Sequence, residues 1–243
     1  MIEILWGQVA WVSGVLLIAA TIQGVAGFGF MLIAAAGLIQ IFPVQLVVPG
    51  LSLVYIPLGI AQFFQVRKQV DWPLLRSWCI SALIGLLPGT LILTAVDTLT
   101  MKRGIGLMMV VLAILLRVRP GAPFQSEKLA RFWAGVLSGA LGASTSIAGP
   151  PIVLIGIKQR WGVESFRATL LVYFTVLSVA IVAFQAQFGL VTRETVRWSG
   201  GGIPGIAIGF LTATWLRGRV SDENFRLLGV VLVFCGGLTA LIL

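Results

Sequence analysis

Apolar residues run along this chain in long segments that short polar connections separate. Between Ile4 and Val66 the sequence holds no charged residue. Segments of about 20 apolar residues are long enough to cross the hydrocarbon layer of a bilayer as α-helices. The pattern therefore predicts membrane helices within the apolar segments, which cover residues 4–42, 44–66, 72–96, 98–116, 131–157, 164–187, 194–215 and 222–243.

Two clusters of glycine, proline and small residues interrupt these segments. The first is 24–30, GVAGFGF, and the second is 142–151, GASTSIAGPP. Backbone without helical hydrogen bonds is costly in lipid, unless protein buries it or it lines a watery cavity. Interrupted segments at corresponding positions of two halves point to the binding site of a transporter. We therefore expect two broken helices that meet at a substrate site.

The stretch 117–130 is the connection with linker character, because it is charged and contains two prolines and a glycine. It divides the chain into a first repeat, 1–116, and a second repeat, 131–243. Four short matches occur in the same order in the two halves, which favours an internal duplication. The matched pairs are Gly14-Val15-Leu16 with Gly135-Val136-Leu137, Leu53-Val54-Tyr55 with Leu171-Val172-Tyr173, residues 85–89 with 201–205, and residues 103–106 with 226–229.

Composition and charge then decide the class of protein and its topology. The chain is 58% hydrophobic and 10% charged, which excludes a soluble domain. Its net charge of +9 would suit nucleic acid, but the basic residues lie in short connections, as the positive-inside rule describes. If residues 131–157 dip into the membrane and return as a hairpin, the basic residues fall mainly on one side. Only Lys102, Arg103, Arg193 and Arg197 then lie on the other side.

The sequence thus predicts an all-α polytopic membrane protein of two inverted-topology repeats. Each repeat contains one broken-helix or re-entrant hairpin and three transmembrane helices. Both termini are expected outside, in a multi-pass protein of the cell (inner) membrane. Helix starts are predicted at Asp71 with Pro73, at Ser126 with Glu127, and at Ser221 with Asp222 and Glu223. The arms of the first hairpin, 4–23 and 30–42, are long enough to leave its helix count open.

The two breaks also predict the chemistry of the site. A helix that begins at a break presents free N–H groups and the positive end of its dipole, where anions bind readily. Glycines let a ligand approach the backbone, and the hydroxyl and amide side chains beside the breaks add polar groups. An oxyanion could then be held without a buried arginine. The predicted substrate-binding residues are Gln23, Gly24, Gly27, Phe28, Gly29, Tyr55, Ser144, Thr145, Ser146, Gly149, Pro150 and Tyr173.

Each of these features has a structural interpretation that stays open. Gly24, Gly27 and Gly29 suit close helix packing. Tyrosines inside membrane spans are often packed, with a neighbour satisfying the hydroxyl. The paired Pro-Gly steps at 88–89 and 204–205 are typical of kinks or hinges.

The chain resembles the TauE/SafE sulfite-exporter family, also called the toluenesulfonate-uptake permeases. The resemblance lies in residues 24–30, in residues 144–151 with their Gly-Pro-Pro end, and in the duplicated layout. It covers essentially the whole chain. The second break departs from the family's pattern, because it has fewer glycines and carries Ser144, Thr145 and Ser146 instead. The resemblance implies a bacterial-type multi-pass carrier for small sulfur-containing or carboxylated organic anions.

These observations predict a secondary transporter for small anions that works by alternating access. An anion channel with paired re-entrant hairpins is the alternative, and a membrane scaffold without transport is a further one. The chain has no histidine and only two cysteines, far apart, so an intramembrane enzyme is disfavoured. We expect no cofactor and no metal, and partners limited to a small anion and membrane lipid. Homodimer formation and the coupling by protons, by Na⁺ or by neither stay open.

Overall fold

The computed structural model describes residues 6–26, 29–115, 124–159, 161–216, 231 and 234–242. Within these ranges all regular secondary structure is helical. The helices are α1 (Trp6–Ala26), α2 (Phe30–Leu38), α3 (Val44–Val66), α4 (Trp72–Ala95), α5 (Thr98–Leu115), α6 (Glu127–Thr145), α7 (Gly149–Lys158), α8 (Val163–Gln187) and α9 (Arg193–Leu216). Residues 234–242 are also helical.

Four helices in the described ranges are long and apolar enough to cross a membrane. The candidate membrane spans within these helices are Gly7–Val25, Val44–Val66, Trp72–Ala95 and Val163–Gln187. By contrast, α2 with 9 residues and α7 with 10 are too short to cross alone, because a helix rises about 1.5 Å per residue. The prediction of an all-α multi-pass membrane protein is confirmed. Parts of the linker 117–130 and of the segment 222–243 lie outside the described residues.

Two helices begin at the predicted capping residues. The carboxylate of Asp71 accepts a hydrogen bond from Leu74 N at 3.0 Å, and Pro73 occupies the first turn of α4. Ser126 Oγ accepts from Leu129 N at 3.4 Å at the start of α6. These two helix starts are confirmed, and the third, at Ser221, lies outside the described residues.

Both predicted breaks exist, but they are shorter than the sequence suggested. The α1 helix continues through Ala26 and α2 begins at Phe30, while α6 continues through Thr145 and α7 begins at Gly149. The expectation that residues 24–26 and 142–145 leave the helix is therefore wrong. Gly24 stays helical and allows close packing, since a Cβ there would lie 2.3 Å from the Cβ of Ala213.

The backbone turns sharply at each break. Gly29, directly before α2, has φ of 102°, and Ser146, directly after α6, has φ of 63°. Both values lie in the left-handed region, which glycine adopts freely and serine rarely. The α2 helix ends at Leu38, so the second arm of the first hairpin is shorter than the predicted 30–42. Each short helix packs against the longer helix that precedes it.

Glycines bring helices from different halves of the chain into backbone contact. A Cβ at Gly85 of α4 would lie 2.1 Å from Val136 O of α6, and one at Gly205 of α9 would lie 2.1 Å from Ser13 O of α1. Small residues allow such close approach in membrane proteins, where packing rather than water drives helix association. As a result α4 packs mainly on α6, and α9 packs mainly on α1.

The buried apolar residues form two clusters. One contains residues of α1, α2, α3, α5 and α9, and Phe30 and Tyr55 are among its fully buried members. The other contains residues of α4, α6, α7 and α8, with Trp78 and Tyr173 among its largest members. The second break lies where these clusters meet, since Ile147 belongs to the first cluster and Ala148 to the second.

Candidate functional site

A single cavity has residues of both breaks on its wall. Gln23, Gly29 and Phe30 line it from the first break, and residues 146–150 line it from the second. It is partly open to the outside, and its volume, counted as the space for the centre of a water-sized sphere, is about 50 Å³. The rest of the wall comes mainly from α3 and α8, with Ser52, Tyr55, Phe174, Leu177, Ser178 and Ile181. The fold therefore places the two interruptions of the chain side by side.

Gln23 holds the first break in place from the end of α1. Its Oε1 accepts from Phe30 N at 3.1 Å, which gives the first amide of α2 a partner. Its Nε2 donates to the Tyr55 hydroxyl and to Gln62 Oε1, both at 2.9 Å. The side chain is 2% exposed, so all of these bonds are sheltered from water. Gln23 thus ties α1, α2 and α3 together at the cavity.

The Tyr55 hydroxyl is the polar side-chain group best placed to bind a ligand. It accepts from Gln23, and its own hydrogen has no acceptor among the described residues. Its ring packs on Phe30, with the centroids 5.4 Å apart, and both residues line the cavity. An anion in the cavity would therefore find a fixed O–H donor at this point.

A cationic side chain lies at the other side of the first break. Arg167, near the start of α8, donates from Nη2 to Gly24 O at 3.4 Å and to Val25 O at 3.2 Å. The last carbonyls of a helix have no intrahelical partner and carry partial negative charge. Arg167 therefore caps α1 from the second half of the chain. No local pattern indicates this contact, because 142 residues separate Arg167 from Val25.

The second break is held by a chain of hydroxyl groups. Tyr173 donates to Ser138 Oγ at 2.8 Å, and Ser138 in turn donates to Ala148 O at 2.6 Å. Close by, Gln185 Nε2 donates to Ala143 O at 2.8 Å. Tyr173 and Tyr55, which match in sequence, are thus both linked to the backbone of a break through one polar side chain. Only Tyr55 lines the cavity.

The three consecutive hydroxyl residues of the second break donate to backbone carbonyls. Ser144 bonds Ala140 O at 2.8 Å, and Thr145 bonds Leu141 O at 2.7 Å. Ser146 donates to Val48 O of α3 at 3.0 Å. Of the three, only Ser146 lies on the cavity wall. In this conformation the Ser146 hydroxyl donates its hydrogen to α3, so this hydrogen is not directed to a ligand.

The two short helices present different numbers of amide donors to the cavity. In α2 the first-turn amides of Met31 and Leu32 have no partner within the helix, and both residues line the wall. In α7 the first turn contains Pro150 and Pro151, which have no N–H. Proline is tolerated there because those amides would be unpaired in any helix. Gly149 is the first-turn residue of α7 that lines the wall with an amide hydrogen to offer.

The structure thus gathers some of the predicted site residues and separates others. Gln23, Gly29, Tyr55, Ser146, Gly149 and Pro150 line the cavity; Gly24, Ser144, Thr145 and Tyr173 do not. Gly27 and Phe28 lie outside the described residues. Sequence reasoning missed Ser52 and Gln62, although their spacing of three and seven residues from Tyr55 places all three on one face of α3. It also missed Ser138 and Arg167, which act from distant helices.

The cavity wall is mostly apolar and carries no charged side chain among its described residues. Its apolar residues include Phe30, Met31, Leu32, Leu112, Val153 and Phe174. In the described part of the chain no three histidine, cysteine, aspartate or glutamate residues cluster as metal ligands would. Hydroxyl groups, amides and helix starts are therefore the polar chemistry that this cavity offers.

Comparison with known proteins identifies a family for this chain. No curated protein and no solved structure gives a significant match to the chain. The family model described as sulfite exporter TauE/SafE matches residues 12–240, which is nearly the whole sequence. This family comprises membrane transporters for sulfite-type anions rather than enzymes. The chain, with its broken helices and multi-pass fold, belongs to the TauE/SafE sulfite exporter family.

Proposed function

We propose that the protein is a secondary transporter for small organic or sulfur-containing anions of the sulfite, sulfonate or carboxylate type. The substrate binds in the cavity between the two breaks, near the middle of the bilayer. The observation that carries this proposal is the shared wall, to which both breaks contribute residues. Family membership supports the class of substrate.

Binding of the anion follows from the donors at the cavity. Tyr55, with its hydroxyl donor, and Met31, Leu32 and Gly149, with their first-turn amides, all line the cavity, and no carboxylate is among the described residues of its wall. Helix starts attract anions because their amides point outward and their dipoles are positive there. The apolar remainder of the wall lowers the local dielectric constant, which strengthens each of these interactions.

Alternating access is the mechanism that the arrangement of the two halves supports. We propose that residues 1–116 and 131–243 form inverted repeats, with 117–130 as their linker and both termini outside the cell membrane. In support, each half supplies a broken helix, a matched tyrosine and a glycine-bearing helix that packs on the other half. Rocking of such repeats around a central site would expose it to each side in turn.

Flux measurements test the proposal directly. Purified protein in liposomes should take up radiolabelled sulfite or toluenesulfonate with a saturable rate, and preloading with unlabelled anion should accelerate uptake by exchange. A rate that rises linearly with concentration and ignores preloading would identify a channel instead. Absence of protein-dependent flux for sulfite, sulfonates and short carboxylates would refute the proposal.

The two matched tyrosines provide a test of the site itself. Tyr55→Phe removes the unpaired O–H donor of the cavity, whereas Tyr173→Phe removes a hydroxyl that lies behind Ser138. A hydrogen bond to a charged group contributes roughly 1.5–3 kcal/mol, so Tyr55→Phe should raise KM by about 10- to 100-fold. Tyr173→Phe should lower the thermal stability, and it should raise KM much less than Tyr55→Phe does. Equal effects of both variants on KM would place the substrate elsewhere.

A further inference from the structure

Four backbone carbonyls beside the two breaks accept hydrogen bonds from side chains of other helices. At the first break Gly24 O and Val25 O accept from Arg167. At the second break Ala143 O accepts from Gln185, and Ala148 O accepts from Ser138. Carbonyls at unwound helix segments are the usual ligands of coupling Na⁺ ions in transporters with broken helices. Here these oxygens are already engaged.

The donor at the first break differs from the others because it carries a positive charge. A guanidinium group stays protonated at every physiological pH and has no acceptor atoms. Arg167 is partly buried, and one of its nitrogens reaches both carbonyls. A Na⁺ ion would have to displace this group from its oxygens and would also meet its charge.

We infer that Arg167 is a built-in cation of the first break, which takes the position that a coupling Na⁺ would occupy and makes anion transport independent of Na⁺. This inference rests on the proposed transport function. The charge balances the partial negative charge at the end of α1, one residue after Gln23, and so keeps the cavity attractive to an anion. Arg167 does not line the cavity, so it is a positioning residue that acts through Gly24 and Val25.

The first part of the test needs no variant. Initial rates of radiolabelled sulfite and toluenesulfonate uptake into proteoliposomes are measured in NaCl and in choline chloride of equal ionic strength. The inference expects the same KM and the same maximal rate in both media. Saturable uptake that requires Na⁺ would overturn the inference and leave the proposed transport function standing. Absence of protein-dependent uptake in both media would overturn the two together.

Variants of Arg167 then separate its charge from its packing. Arg167→Lys keeps the charge and should keep a KM near that of the wild type, whereas Arg167→Gln should raise KM about ten-fold or more, because a charge-assisted bond is lost. In Arg167→Ala, millimolar guanidinium ion should restore part of the rate. The matched control is Arg76→Gln, an exposed arginine on α4 that should leave KM unchanged.

The outcomes remain distinct even when one variant folds poorly. Thermal unfolding and gel filtration in detergent identify any variant that is not folded, and Arg167→Lys with the Na⁺ replacement still decides the question. Two results would show that Arg167 is not the cation of the first break. One is transport by Arg167→Gln with the KM of the wild type. The other is Na⁺-independent flux gained by folded Arg167→Ala without guanidinium.

Discussion

The contact between α4 and α6 leaves no room for a side chain at Gly89. A Cβ built there would lie 2.3 Å from Ala140 O, where an ordinary van der Waals contact is 3.4–4 Å. The substitution Gly89→Ala therefore requires the two backbones to separate by about 1 Å, and the neighbouring contacts at Gly85 and Gly139 loosen with them. Because backbone atoms cannot rotate away as a flexible side chain can, the helices have to move as units.

The size of the effect follows from two opposing contributions. Overpacking of a tight interface costs roughly 1–3 kcal/mol, and replacing glycine by alanine within a helix returns roughly 0.5–1 kcal/mol. We therefore expect Gly89→Ala to destabilise the protein by about 1–2 kcal/mol, or about 2–8 °C in Tm for a chain of this size. The control is Gly104→Ala in α5, where nothing lies within 4 Å of the added Cβ. This control should keep or raise Tm.

Thermal unfolding in one detergent, followed by intrinsic tryptophan fluorescence, measures both variants under the same conditions. The comparison between the two glycines removes the general effect of alanine on helix propensity, since both positions are inside helices. If Gly89→Ala is as stable as Gly104→Ala, the backbones of α4 and α6 are not in contact, and the packing between the two halves described above is wrong.

Two further predictions concern side chains at the ends of helices. Gln23→Leu leaves the Phe30 amide without its partner and removes both bonds donated by Gln23, so it should destabilise the protein by about 3 kcal/mol. The control Gln187→Leu, at an exposed position, should change Tm little. Equal Tm values for the two variants would contradict the Gln23 network. At the start of α5, the bond from Thr100 N lowers the pKa of Asp97 below its usual value. This contribution to stability is present above the unfolded pKa of about 3.9 and is lost as pH falls through the lower folded pKa. Asp97→Asn should therefore flatten the acid end of a plot of Tm against pH. A plot with the same curvature as that of the wild type would refute the role of Asp97 as the cap of α5.

The positions of the breaks could be predicted from the sequence because glycine and proline act locally. Pro150 and Pro151 cannot sit inside a helix without a missing hydrogen bond, so a helix start near them is a local consequence of their chemistry. The ends of the breaks could not be predicted in this way. Gly24 and Gly142 stay helical, and neighbouring helices pack closely against them, at Ala213 and Ile181. Such contacts depend on the fold and leave no trace in local sequence.

The matched tyrosines show the same limit within the candidate site. Their equivalence in the two halves was visible, and both are buried next to a break. The sequence could not distinguish their roles, because these depend on which polar residue stands beside each hydroxyl. Gln23 donates to Tyr55 and leaves its hydrogen available, whereas Ser138 accepts that of Tyr173. The direction of one hydrogen bond therefore decides which tyrosine hydroxyl can donate to a ligand.

Each break is bonded to the half of the chain that does not contain it. The first break, in residues 1–116, is capped by Arg167 of the second half, and Ser146 of the second break donates to Val48 O of the first half. The glycine contacts follow the same rule, since α4 packs on α6 and α9 packs on α1. Any movement of one half against the other therefore has to change bonds at both breaks at once. Because residues of both breaks line one cavity, such a movement would also change the geometry of that cavity, which is the coupling that the proposed alternating access requires.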